Sequence, residues 1–319
     1  MGAPALRLVT KADFDGMVCG ILLKELGSVE SVAFAHPKDV ESGKFEITGG
    51  DITAGLPYRE AAHLAFDHYP SAASSAGRDN LKVDPAAPST SRVIYGHCGK
   101  ERFAGIHEDI LDAVDKGFSA KLAIEDILYP TGWVLLSYLI DQRTGLEKYK
   151  RFQKSHDELM IELMDAGRSR SIWEILSLPD VEERLELYFS CIEEYKGQIF
   201  RCSAVFSNLV VTDTRTEKRI IPGNKFMTYA LFPECNISLA VSSAGQGAKA
   251  AFAAGRSVLD RTCSLDIGRI MRKYGGGGHA GAGACQAEEE KAEATKNGLI
   301  EDLRYGFFKN LFMGYFNYY

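Results

Sequence analysis

Acidic side chains follow three short apolar segments near the start of the chain. Asp13 and Asp15 stand in KADFDGM, Asp51 in GGDIT, and Asp67 with His68 in FDHYP. Carboxylate oxygens suit hard divalent cations such as Mg2+ and Mn2+, and a histidine nitrogen can complete such a site. Each pattern has a plain alternative, because an Asp also caps a helix or a turn and an Asp-His pair is often structural.

The elements around these segments predict that the side chains meet. Short apolar runs alternate with helical periodicity here, which predicts parallel strands covered by helices. The carboxyl ends of such strands share one edge of the sheet, where ligands of open α/β sheets bind. We therefore expect the four aspartates and the histidine to converge at this edge. So many unpaired carboxylates in one place would require a cation.

A fourth candidate lies in ILDAVDKGFS, which carries Asp112 and Asp115 on a helical pattern. A solvated helix face is the simpler interpretation. Asp115 becomes a further ligand if this helix closes the predicted cleft.

A fifth candidate is KYGGGGHAGAGAC, in which Gly276, Gly277 and Gly278 precede His279. Backbone N–H groups of such glycines form a nest suited to an anion, with the histidine as a further donor. A flexible turn is the alternative. In a dinucleotide-binding fingerprint a helix follows the glycines, whereas here the predicted helix precedes them, so this fingerprint is excluded. Arg261 could add positive charge nearby.

The rest of the chain predicts an α/β protein of two domains. We expect a doubly wound, mainly parallel sheet in residues 1–150, a helical connector in 151–197 and a smaller α/β domain in 198–319. Strands are expected at 45–47 and 199–205 and an exposed loop at 70–91. The last 16 residues, RYGFFKNLFMGYFNYY, are rich in aromatics and predict a buried contact within the chain or with a partner.

Composition narrows the class of protein. The chain has 319 residues, and 37 Lys and Arg against 43 Asp and Glu give a net charge of −6. This argues against binding long duplex nucleic acid through a basic surface. The seven cysteines form no C-x-x-C pair, and no signal peptide or long apolar span is evident, so we expect free thiols in the cytoplasm and no membrane contact.

Together the five motifs resemble the DHH phosphoesterase superfamily. Asp13, Asp15 and Gly16 resemble its D-x-D-G motif, Asp51 its strand-end aspartate, and DHY its naming triplet. AVDKGFSA resembles its fourth motif, and GGGGHAGAG with the upstream Arg261-Thr262 resembles its associated second domain. GDITAGLPY and PTGWVLLSYLID further resemble the exopolyphosphatase-related branch.

The resemblance implies a hydrolase of phosphodiester or phosphoanhydride bonds that uses one or two Mn2+ or Mg2+ ions. By position, Asp51 would bridge two metals, Asp13 would serve one, and the other would be held by Asp15, His68 and Asp115. Asp67 would belong to the same catalytic set. Substrate would be bound by Lys11, Tyr69, Arg261, Gly276, Gly277, Gly278 and His279.

The sequence departs from the family pattern at three positions. Lys11 stands where many relatives have a metal-binding residue, and an ammonium cannot ligate a metal. Tyr69 replaces the second histidine of the triplet, and Phe118 replaces an aspartate of the fourth motif. The departures concern the metal that Asp13 would serve.

Two functions follow as hypotheses. The first is a metal-dependent phosphohydrolase for a small anionic substrate, such as a short oligonucleotide, a cyclic dinucleotide, a nucleoside phosphate or polyphosphate. The second is a phosphate- or nucleotide-binding protein with a degenerate metal site and weak or no turnover. A homodimer is left open.

Overall fold

The computed structural model describes residues 6–69, 77–243 and 249–316, with side chains to residue 304. The chain divides into two compact units. One comprises Met1–Lys121 and Pro130–Phe189, and the other Leu122–Tyr129 and Ser190–Tyr319. Each unit contains one sheet with helices, so the predicted two-domain α/β fold class is confirmed. The boundaries at 150 and 197 stay predictions.

The first unit is built on a five-stranded, wholly parallel sheet of order β2-β1-β3-β4-β5. Parallel strands are joined by crossover segments, which here contain helices. The strands are β1 Arg7–Thr10, β2 Ser31–Phe34, β3 Asp51–Ala54, β4 Leu64–Asp67 and β5 Leu81–Val83.

Helices of the first unit supply most of its buried side chains. Met17, Val18, Ile21 and Leu22 of α1 are fully buried, because this helix packs against α3, α4 and α8. The helices are α1 Phe14–Glu25, α2 Pro37–Glu41, α3 Thr90–Cys98, α4 Glu108–Phe118, α6 Gly132–Leu139, α7 Leu146–Tyr149, α8 His156–Ala166 and α9 Ile172–Leu176, with 3-10 turns at Lys100–Phe103 and Gln142–Thr144. Helix α10, Pro179–Cys202, belongs to both units.

The second unit has a six-stranded mixed sheet of order β10-β11-β9-β8-β7-β6, in which only β7 and β8 pair in parallel. Leu239, Phe252 and Met271 lie in its apolar core. Its strands are β6 Ser203–Phe206, β7 Leu209–Asp213, β8 Ile237–Ser243, β9 Lys249–Arg256, β10 Gly277–His279 and β11 Ala282–Glu288; its helices are α5 Ile124–Leu128, α11 Met227–Leu231, α12 Ile267–Lys273 and α13 Glu289–Phe316.

Three local predictions were wrong. Residues 45–47 form no strand, and the strand of this region begins after the two glycines, at Asp51. The segment expected to be an exposed loop contains β5 and the buried residues Ser89, Thr90 and Ser91. Helix α10 continues to Cys202, so its last turn replaces most of the strand expected from residue 199.

Other predictions concern the whole chain. The seven cysteines are free thiols, as expected. Among the described helices, none combines the length and the apolar character needed to cross a membrane. The aromatic tail from residue 305 has side chains outside the described part, so its expected burial stays a prediction.

Candidate active site

The loop between β1 and α1 places the first pair of aspartates. Asp13 is the N-cap of α1, and its Oδ1 accepts the Gly16 N–H at 2.9 Å. A Cβ on Gly16 would lie 2.0 Å from the Lys11 carbonyl oxygen, so the close turn requires glycine. The capping role considered from the sequence is therefore real for Asp13.

Asp15 is buried and joins two helices. It is 1% exposed. Its Oδ2 accepts the Thr90 N–H at 3.0 Å, and its Oδ1 accepts the Ser91 N–H at 2.9 Å. These amides begin α3, where the helix dipole favours an anion. The carboxylate thus fixes α1 to the start of α3.

Asp67 and His68 follow at the carboxyl end of β4. Asp67 Oδ1 accepts the N–H groups of His68 and Tyr69, at 2.7 and 3.1 Å. Burial raises the pKa of Asp67 above its ordinary value, against the opposing effect of these hydrogen bonds. Burial lowers the pKa of His68, although Asp15 and Asp67 act in the other direction. His68 Nδ1 lies 2.8 Å from the Thr90 hydroxyl.

Lys11 brings a cation into the same region. Its ammonium lies 3.0 Å from Asp13 Oδ2, and its side chain is 17% exposed. Burial acts to lower the pKa of Lys11, but the charges of Asp13, Tyr69 and Asp15 outweigh it, so the pKa is raised. Lys11 therefore stays protonated at neutral pH.

Asp115 approaches the start of α3 from α4. Its Oδ1 accepts the Ser89 hydroxyl at 2.6 Å, and its Oδ2 accepts Nε of Arg92 at 2.7 Å. Asp112 also pairs with Arg92, at 3.0 Å, on the exposed side. Asp115 thus serves first as a partner of α3, next to the residues that hold Asp15.

The prediction that Asp51 follows its strand is wrong. Asp51 begins β3 and pairs in register with Arg7, the first residue of β1, so it lies at the amino edge of the sheet. Nε of Arg7 donates to Asp51 Oδ1 at 2.7 Å. Burial would raise the pKa of Asp51, but hydrogen bonds from Arg7 and Thr48 lower it. β3 instead ends at Ala54, and Gly55 follows it.

The glycine segment of the second unit is a tight strand pair. A Cβ on Gly276 would lie 2.1 Å from the Ala284 carbonyl oxygen, and the Gly276 N–H donates to Met271 O at 3.0 Å. Gly277 pairs with Ala284 in the β10–β11 ladder. Gly276 therefore allows close backbone packing, and its N–H donates within the chain, while the binding of an anion by this segment stays a prediction.

The other predicted substrate-binding residues of this unit lie nearby in the sequence. Nδ1 of the exposed His279 accepts the Gly281 N–H at 3.1 Å. Nε of the exposed Arg261 donates to the Val258 carbonyl at 3.2 Å. Their binding of substrate, and that of Gly277 and Gly278, stays a prediction.

Sequence reasoning missed two contributors. Thr90 links His68 to Asp15, and its only sequence signal is the Ser-Thr-Ser run before a helix, which is typical of an N-cap. Arg143 donates hydrogen bonds to both carboxylate oxygens of Asp141, at 2.6 and 2.7 Å. Desolvation acts to lower the pKa of Arg143, whose side chain is nevertheless 69% exposed, and Asp141 and, more weakly, Asp13 raise it. No motif marks this arginine.

The residues do not fit the two-metal centre that the resemblance implies. Within residues 6–69, 77–243 and 249–304, no three His, Cys, Asp or Glu side chains are grouped so as to hold a metal ion. The Lys11 ammonium lies beside Asp13, and Asp51 lies at the opposite edge. The use of Mn2+ or Mg2+ therefore stays a prediction.

Comparison with known proteins identifies the family. No family model matches the chain, and neither does any curated protein. Among solved structures, the pGpG-specific phosphodiesterase PggH from Vibrio cholerae is 44% identical, with a TM-score of 0.82, over 94% of this chain and 99% of that one.

Two more distant structures also match. CDC45 from Entamoeba histolytica is 8% identical, with a TM-score of 0.49 over 93% of this chain and 95% of that one. Manganese-bound exonuclease RecJ is 13% identical, with a TM-score of 0.48 over 95% and 90%. These two similarities are too low to support an argument. The similarity to PggH, together with the five motifs, shows that the chain is a phosphoester hydrolase and belongs to the DHH phosphoesterase superfamily.

Proposed function

We propose that the chain is a phosphodiesterase for a short linear dinucleotide with a 5′-phosphate, with pGpG as the first substrate to test. The observation that carries this proposal is the 44% identity to the pGpG-specific phosphodiesterase over nearly the full length of both chains. Water would attack the single internal phosphodiester of pGpG and give two molecules of GMP.

The residues at the carboxyl edge of the first sheet support this chemistry. An anionic substrate needs local positive charge, because the chain has a net charge of −6. Lys11 supplies one such charge at the edge. The lowered pKa of the buried His68 favours a neutral imidazole at pH 7. With the proton of Nδ1 donated to Thr90, Nε2 could accept a proton from the attacking water.

The direct test is hydrolysis by the purified full-length protein. pGpG, GpG, cyclic di-GMP, GMP and polyphosphate would each be incubated with Mn2+, with Mg2+ or with EDTA, and products separated by chromatography. We expect GMP from pGpG at a rate well above that from the other substrates. His68→Ala should lose this activity, and Lys24→Met, on the same unit, should keep it. Intact pGpG in all three conditions would contradict the proposal.

A binding protein without strong turnover is the second candidate, and the Lys11–Asp13 ion pair favours it. A fixed cation could hold a phosphate without activating water. Calorimetry with pGpG separates the two functions. Saturable binding with no release of GMP would support the binding protein, and GMP release at many turnovers per chain would exclude it.

A further inference from the structure

Three residues that depart from the family pattern contact one another in the first unit. The Lys11 ammonium lies 5.6 Å from the ring centroid of Tyr69 and 5.4 Å from that of Phe118. It also lies 3.0 Å from Asp13 Oδ2. The three departures come from separate segments: the loop after β1, the residues after β4, and the end of α4. They therefore form one local arrangement.

The surroundings are shaped to hold the lysine side chain. Gly55, just after β3, lies against the lysine stem, since a Cβ there would be 3.4 Å from Cε of Lys11, an ordinary van der Waals contact. The His68 ring packs 4.3 Å from the Tyr69 ring and 6.0 Å from the Phe118 ring, centroid to centroid. The ammonium thus has a fixed place between one carboxylate and two aromatic rings.

This arrangement has the chemistry of a cation site whose cation is part of the chain. Aromatic ring faces attract an ammonium, and the carboxylate neutralises its charge. Phe118 offers no carboxylate ligand, and the neutral phenol of Tyr69 stands in place of an imidazole. A divalent ion beside Asp13 would also be repelled by the ammonium 3.0 Å from that carboxylate.

We propose that Lys11, Tyr69 and Phe118 together replace a metal ion at Asp13. The ammonium supplies the positive charge at this position, and Asp13 acts as its counter-ion and as the cap of α1, not as a metal ligand. The proposal concerns the same site as the proposed function. It rests on contacts within the chain, so it holds or fails independently of which substrate is cleaved.

The first test counts Mn2+ bound per chain by electron paramagnetic resonance, in the wild type and in Asp13→Asn. Asparagine is as good a helix cap as aspartate, so this variant should keep its fold. We expect the same number of Mn2+ ions in both proteins, whether that number is one or zero. The loss of one Mn2+ in Asp13→Asn would overturn the proposal.

The second test restores the residues of the family pattern at the three departures. The triple variant Lys11→Asp, Tyr69→His, Phe118→Asp should bind one Mn2+ more per chain than the wild type. Lys24→Met is the matched control. Lys24 of α1 is 13% exposed and pairs with Asp165 of α8 at 2.6 Å, away from Asp13. The number of Mn2+ ions bound by Lys24→Met should equal that of the wild type. A triple variant with a native circular dichroism spectrum and no added Mn2+ would overturn the proposal.

If the triple variant does not fold, the Asp13→Asn comparison still decides. Neither titration contains pGpG, so a failure of the proposed function leaves both results interpretable. Conversely, an active pGpG hydrolase that loses one Mn2+ in Asp13→Asn would refute this inference and retain the proposed function.

A third measurement tests the aromatic part. Phe118→Leu should lower the urea midpoint more in the wild-type background than in the Lys11→Met background, because in Lys11→Met the Phe118 ring has no ammonium to attract. An equal shift in both backgrounds would show that Phe118 does not serve Lys11.

Discussion

The hydroxyl of Thr90 lies 2.8 Å from Nδ1 of His68. The N–H of the same threonine donates to Asp15 at 3.0 Å. One residue at the start of α3 therefore orients the imidazole after β4 and holds the carboxylate that begins α1. All three groups are buried. Any catalytic use of His68 depends on this shared contact.

The first prediction concerns this hydroxyl. Thr90→Val keeps the shape and the backbone N–H but removes the partner of His68 Nδ1. We expect kcat for pGpG to fall about 10- to 100-fold with little change in KM, the scale of an acid–base contribution whose orientation is lost. Thr90→Ser retains the hydroxyl and should stay within a few-fold of the wild type. Equal activity of Thr90→Val and Thr90→Ser would rule out the orienting role.

Local sequence signals predicted part of the site. Asp13, Asp15, Asp67 and His68 could be placed at the carboxyl edge because each lies at the end of an apolar run or within a few residues after it. Thr90 was not found, because its partners His68 and Asp15 are 22 and 75 residues away. Such contacts depend on how helices pack on the sheet, which no local pattern encodes.

Asp51 shows how strand boundaries limit prediction. Residues 45–47, Phe-Glu-Ile, alternate apolar and polar side chains as a short strand does, and this pattern predicts that the carboxylate after the two glycines ends a strand. In the sheet, β3 starts at Asp51, in register with Arg7. A shift of a few residues in the strand moved the side chain to the opposite edge. The contacts of Lys11 with Tyr69 and Phe118 could not be predicted from local patterns either, because they join three segments that are far apart in the sequence.

The second prediction follows from the place of Asp51. Asp51→Asn removes a nearly buried carboxylate that accepts two hydrogen bonds from Arg7 and two from Thr48. We expect the free energy of unfolding to fall by about 1–3 kcal/mol, measured by urea denaturation, because charged hydrogen bonds are lost. The activity of the folded protein on pGpG should be unchanged. A loss of kcat with normal stability would place Asp51 in the site after all.

A third prediction concerns the turn that carries Asp13 and Asp15. Gly16→Ala would put a Cβ 2.0 Å from the Lys11 carbonyl oxygen, which only a shift of the loop can relieve. We expect a loss of about 2 kcal/mol or more in stability, as for overpacking of a tight site, together with a loss of activity.

Gly96→Ala is the control for this change. Gly96 lies inside α3, and a Cβ there has no heavy atom within 4 Å. Alanine should therefore stabilise the protein by about 0.5–1 kcal/mol through helix propensity. If both variants changed stability by the same amount, the close approach at Gly16 would not be a constraint.

The last prediction is a pH dependence in the second unit. Burial acts to raise the pKa of Asp213, but hydrogen bonds from Arg215 and Lys296 outweigh it and lower the pKa from 3.8 to about 2. Arg215 and Lys296 lie 2.6 and 3.0 Å from Asp213 Oδ2, and Lys296 belongs to α13, so the cluster joins β7 to that helix.

The sign follows from the lowered pKa. A carboxyl group that ionises more easily in the folded state stabilises the fold above its unfolded pKa near 4, and this stability is lost as pH falls towards 2. Asp213→Asn should thus cost about 1 kcal/mol at pH 7, since solvent screens a partly exposed cluster. In urea titrations at several pH values, the gap from the wild type should narrow between about pH 4 and pH 2. Glu60→Gln is the control, because the exposed pair of Glu60 with Arg78 should contribute little to stability. If the stability difference between Asp213→Asn and the wild type stayed constant down to about pH 2, the carboxylate charge would not be what joins β7 to α13.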